Sequence, residues 1–69
     1  MNTVLIIEDD KAIVDVLRMI LEHDGFKIEH AYNGSTGIEK FSEVKPDVVL
    51  LDIRMPKMDG IEVLQEIRK

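Results

Sequence analysis

Glu8, Asp9 and Asp52 are the residues of this chain best placed to do chemistry. Glu8 and Asp9 close the apolar run TVLII, and Asp52 closes a second such run, DVVLL. Carboxylates brought close together repel one another unless a cation or protons intervene. A hard divalent cation suits all-oxygen ligands, and Mg2+ is held through one or two carboxylates, retained waters and phosphate oxygens. Such an ion polarises an incoming phosphoryl group, and a carboxylate beside it can act as nucleophile and form an acyl phosphate. The plainer alternative is that acids follow strands because helix caps do, and Asp10 fits that role. Asp52 does not. The next helix cap after it is Asp59, beyond a loop that holds Pro56, and loops set on a rigid scaffold often carry function.

Whether the three acids meet depends on the elements that carry them. TVLIIE reads as a strand over about residues 3–8, apolar on both faces as a central parallel strand is. The period then changes. Ile13, Val16, Leu17, Ile20 and Leu21 share one helical face, which predicts a helix over residues 11–24, with Asp10 as N-cap and Gly25 as the left-handed residue past its end. FKIEHA alternates, with Phe26, Ile28 and His30 against Lys27, Glu29 and Ala31, and reads as a half-exposed edge strand. Asn33 caps a second helix that stops before Pro46, with Ile38, Phe41 and Val44 as its apolar stripe. An Asn33-Gly34 hairpin turn is the other reading, but Ser35, Thr36 and Gly37 make a poor strand. DVVLLD predicts a third strand over residues 47–52. Asp59 and Glu62 form a capping-box arrangement before a third helix striped by Ile61, Leu64 and Ile67, with Val63 widening the stripe.

Strands alternating with helices imply an α/β fold with a parallel sheet. The simplest arrangement puts the alternating strand at an edge, the first strand inside and the third on the other side of the first, so the expected strand order is 2-1-3. In such a sheet ligands bind beyond the carboxyl ends of the strands, where the connections diverge to opposite faces. With this order the crevice lies between the first and third strands, and it gathers Glu8, Asp9 and Asp52.

Composition narrows the function classes. Sixty-nine residues make one domain at most, and a chain this short buries only roughly 60% of the surface its unfolded form exposes. There is no cysteine, so neither disulfides nor thiolate metal sites are possible. The net charge of −5 disfavours nucleic acid, whose phosphates it repels. The apolar runs are far too short to span a membrane and no signal peptide is visible, which points to a cytoplasmic address. His23 and His30 stand apart from any carboxylate pattern and read as solvated or packed.

At these residues the sequence resembles the receiver domain of two-component response regulators. The resemblance covers residues 1–69, through VLIIEDD at the first strand, KPDVVLLDIRMPKMDGIEVLQEIRK from the third strand onward, and the apolar framework between. The acidic pair, the distant aspartate and MPxMDG together are highly specific. The resemblance implies that Asp52 is the phospho-acceptor. It implies that Glu8 and Asp9 hold Mg2+, Asp9 directly and Glu8 through water, and that the backbone carbonyl of Arg54 is a further ligand. Pro56 and Gly60 match the residues that shape the loop. Glu8 replaces the commoner aspartate. The implied role is that of a regulator phosphorylated by a sensor histidine kinase, not an enzyme with a substrate of its own.

The resemblance also implies a flavodoxin-like doubly wound fold of five strands and five helices, of which this chain matches the first (βα)3 half. The later strands of the family carry a hydroxyl residue that senses the phosphoryl group and a lysine that pairs with it. Neither can be assigned here, and nothing in the resemblance transfers the lysine's role to Lys11 or Lys57. Two expectations follow for a half-fold. Phosphotransfer is impaired, by on the order of 10²–10³ for a lost charge-stabilising donor. The open edge of the third strand and the apolar faces drive homo-oligomerisation, which completes the sheet. The reading from a different class is a self-associating half-fold with a homodimeric, structural role and no phosphotransfer. Other phosphoryl enzymes fit poorly. EDDK lacks the spacing of a haloacid-type phosphatase, and DIR lacks the Asp-x-Asp of a Toprim-like nuclease.

Overall fold

The computed structural model describes residues 2–52 and 60–68. The elements run β1 (Thr3–Ile7), α1 (Lys11–His23), β2 (Lys27–Ala31), α2 (Gly34–Val44), β3 (Val48–Leu51) and α3 (Gly60–Ile67). The expected alternation holds, and the three strands and α1 begin and end within a residue of expectation. The strands form one parallel sheet of order β2-β1-β3.

Local chemistry sets the boundaries. Asp10 is extended and its side chain accepts from the Ala12 N–H at 3.0 Å, which starts α1. Gly25 follows the helix at φ +92°, where a side chain would be strained. Asn33 caps α2 by accepting from the Thr36 N–H at 2.9 Å. Lys45 ends α2 in the left-handed region, φ 52°, directly before Pro46, which disfavours helical backbone in the residue ahead of it. Asp59 and the MPxMDG loop lie outside the described residues.

Strand β1 is the axis of the core. Val4 and Ile6 point to one face, where they pack with Ile28 and with Val14 of α1. Leu5 and Ile7 point to the other, where they meet Ala31, α2 through Ile38 and Phe41, and α3 through Val63 and Ile67. All four β1 side chains from Val4 to Ile7 are buried. Burying such a side chain stabilises by about 1.5–3 kcal/mol, so this one strand anchors both layers.

Three apolar patterns differ from expectation. On α1 the row against the sheet is Val14, Leu17 and Leu21, with Val14 fully buried. Ile13, Val16 and Ile20, expected there, lie on the neighbouring row and remain 45–53% exposed. On α3, Val63 is fully buried while Ile61 and Leu64 are exposed. On β3, Val48 and Leu50 are exposed, as expected of an open edge, but Val49 and Leu51 are packed. The exposure on β3 follows from how the elements dock. Register pairs Val48 with Val4 and Leu50 with Ile6, on the α1 face, and α1 covers β1 and β2 but not β3.

One contact in α2 is unusually close. A Cβ built on Gly37 would stand 2.6 Å from Ile7 Cδ1 and 2.9 Å from its Cγ1. Gly37→Ala gains helix propensity of about 1 kcal/mol, whereas overpacking costs typically 1–3 kcal/mol. The clash therefore wins, and Gly37→Ala is expected to lower the denaturation midpoint, with Ile7→Val recovering part of the loss in the double variant. Chemical denaturation of the four species checks this, and additive effects would show that the two residues do not couple.

Candidate functional site: an acidic crevice at the strand ends

The ladder of the sheet continues one step past the strands. The Glu8 N–H donates to the Ala31 carbonyl at 3.0 Å, and the Asp52 N–H donates to the Ile7 carbonyl at 3.0 Å. Since Ile7 is in register with Leu51, Glu8 and Asp52 come level at the same rim. The crevice opens between β1 and β3, where α1 leaves β1 on one face and the chain after β3 returns as α3 on the other. Its apolar floor includes Ile6, Leu17 and Leu50, and its open volume is about 340 Å³.

The three acids predicted from sequence do meet. Glu8, Asp9 and Asp52 each offer a carboxylate oxygen within 4.8 Å of the others, with Glu8 and Asp52 half-buried and Asp9 exposed. Arg54 lies outside the described residues, so its carbonyl is not placed. Asp10 turns to its helix cap and also donates its N–H to Glu8 Oε1 at 3.1 Å.

Electrostatics single out Glu8. Burial pushes its carboxyl above the ordinary value of 4.5, and the carboxyls of Asp9 and Asp52 press it the same way. The Asp10 N–H opposes them by stabilising the charged form. The cluster thus has the donor set and the charge excess that a hard divalent cation satisfies.

A second group, not foreseen, occupies the other flank of the rim. Tyr32 directly follows Ala31, whose carbonyl holds Glu8. Its ring meets that of His30 at a tilt of 50° with centroids 4.9 Å apart, and Lys11 Nζ lies 5.2 Å from the ring centre. The available sequence signal was an aromatic residue one step past an edge strand, but the partner Lys11 becomes visible only when α1 is docked. His23 is exposed beside Asp24, away from the crevice.

These features define a class, and the comparisons agree. The family of response regulator receiver domains matches residues 4–69, and the chain belongs to it. The transcriptional regulatory protein TrcR of Mycobacterium tuberculosis is 39% identical over 66 residues, which is 96% of this chain and 26% of that protein. The N-terminal domain of a response regulator receiver protein from Methanoculleus marisnigri superposes with a TM-score of 0.96 at 39% identity, over all of this chain and 56% of that one. The response regulator TrrA of Thermotoga maritima, solved in complex with Mg2+ and BeF, gives a TM-score of 0.94 at 38% identity, over 99% of this chain and 59% of that one. The fold is therefore flavodoxin-like. The chain spans about a quarter of that curated relative and little more than half of these solved chains. No helix among the described residues is long and apolar enough to cross a membrane.

The raised Glu8 carboxyl has a pH consequence. Between 4.5 and its raised value, the folded chain keeps a proton that the unfolded chain has lost. Its contribution to stability is thus present in full below 4.5 and is lost as pH rises through the raised value. In metal-free buffer, melting curves should show Glu8→Gln with a higher Tm than wild type at neutral pH and a flatter pH dependence above pH 4.5. A lower Tm for Glu8→Gln at neutral pH would contradict this origin of the shift.

Proposed function

We propose that residues 1–69 form a phospho-accepting receiver unit in which Asp52 takes a phosphoryl group from a sensor histidine kinase, with Mg2+ as cofactor. The observation that supports it is the convergence of Glu8, Asp9 and Asp52 within 4.8 Å at the carboxyl edge of a parallel sheet. Asp9 would hold the cation directly, Glu8 through water, with Asp52 and the Arg54 carbonyl completing the protein ligands. The bound ion supplies positive charge against the oxygens of the transferring group. The chain's own residues do the rest. An Asp52 carboxylate oxygen attacks phosphorus, the bond from phosphorus to the donor nitrogen breaks, and the leaving imidazole keeps the electron pair. The product is an aspartyl phosphate. Phosphoryl transfer of this kind depends mainly on positioning and charge stabilisation. The ladder bond from the Asp52 N–H to Ile7 fixes the backbone from which the nucleophile projects. The product is a modified protein, and the role is regulatory.

Incubation with acetyl phosphate and Mg2+ followed by intact-mass measurement tests the reading. One phosphoryl group should be gained, none without Mg2+ and none in Asp52→Asn. Phosphorylation that persists in Asp52→Asn would place the acceptor elsewhere.

A second reading, self-association, rests on a separate observation. β3 lies at an edge of the sheet and presents exposed Val48 and Leu50 beside the exposed row Ile13, Val16 and Ile20 of α1. The other edge strand, β2, carries Lys27, Glu29 and His30 instead, charged and polar residues of the kind that discourage pairing. We infer that a second copy covers the β3 side. Sedimentation velocity should show a dimer for the wild type at micromolar concentration and a monomer for Leu50→Lys. A monomeric wild type would exclude it.

A further inference from the structure

We propose that Lys11, parked over the ring of Tyr32, is a capture residue that draws the anionic phosphoryl donor to the crevice. This inference rests on the phospho-acceptor reading above. The crevice carries three carboxylates within 4.8 Å, and Asp10 stands beside them. Phosphoryl donors are themselves anions. An approaching donor therefore meets a repulsive field, and a cation at the rim lowers that barrier without having to touch the reacting atoms.

The geometry gives Lys11 that place. It is the first residue of α1, two positions after Asp9. Its Nζ makes none of the ion pairs found among the described residues, although acids surround it in sequence. It lies over Tyr32 at 5.2 Å instead. Tyr32 is half-buried and packs against the α1-side core, and its ring rests at a tilt against His30. Its neighbour Ala31 is bonded through its carbonyl to the Glu8 N–H. The aromatic ring is thus tied to the same rim as the acids. An exposed cation–π contact is weak, so it holds the ammonium near the crevice while leaving it free to swing to an anion. Lys11 is a positioning residue. It differs from the family's phosphate-pairing lysine because it acts from the β2 flank, before transfer.

The proposal predicts effects of opposite sign on two ligands. A rim cation attracts the donor and repels Mg2+. In Lys11→Gln, Mg2+ affinity, read from the Tm shift on titrating the metal alone, should rise by about 3-fold. The acetyl phosphate concentration giving half-maximal phosphorylation should rise by a similar factor, with the saturated rate little changed; both sizes are those of a screened surface charge. Lys11→Arg should restore both, and added salt should shrink both differences. Tyr32→Leu, which keeps an apolar group in the core and removes the ring, should move the donor concentration part of the way. Equal values in wild type and Lys11→Gln would overturn the proposal. So would a joint fall of both affinities, which would mark Lys11 as merely structural. A wild type that binds no Mg2+ and gains no phosphoryl group would instead overturn the phospho-acceptor reading, and this inference with it.

Discussion

The structure depends on the parallel register of β1 against its two neighbours. Ile7 opposite Ala31 on one side and Leu51 on the other means that the next residues, Glu8 and Asp52, arrive at one level with their N–H groups bonded to the strand ends. A slip of one residue would turn each strand's side chains to the other face, burying what should be solvated. In β2, which alternates, that slip would carry Lys27 or Glu29 to the α1 layer in place of Ile28. The core therefore holds the acids in place although the acids repel one another. Burial first, and the neighbouring carboxyls of Asp9 and Asp52 after it, raise the Glu8 carboxyl above its ordinary value.

Much of this was legible in sequence because the signals were local. Asp10, Asn33 and Gly25 act through their own and adjacent backbone, and each did what its type favours. The change of period from two-sided strands to helical stripes gave the strand order, and strand order gave the convergence of the acids. What was not legible required knowing how elements dock. On α1 the rows Ile13–Val16–Ile20 and Val14–Leu17–Leu21 are both apolar, so periodicity alone cannot choose which meets the sheet. The same ambiguity hid Val63 behind Ile61 and Leu64. Lys11 and Tyr32 are far apart in sequence, and neither belongs to a motif with the other.

The two faces of the sheet are unequally finished. On the α2–α3 side, Val49 and Leu51 of β3 are packed, so all three strands contribute to the core there. On the α1 side, one helix covers two strands and leaves Val48 and Leu50 open. The crevice floor includes Leu50 and Leu17, so it is continuous with this open side. Whatever covers β3 thus also determines how much water reaches Asp52 and how strongly charges in the crevice interact, because removing water lowers the local dielectric.

Gly37 adds a different kind of control. Its missing side chain lets the α2 backbone rest directly on Ile7, the residue whose carbonyl holds Asp52 and whose successor is Glu8. The spacing between α2 and β1 is therefore set here by the Ile7 side chain alone, with no side chain from α2 added to it. A displacement of α2 at Gly37 would bear directly on Ile7, the residue next to Glu8. In the reverse direction, a change at Asp52 reaches the backbone of α2 through a single residue, Ile7.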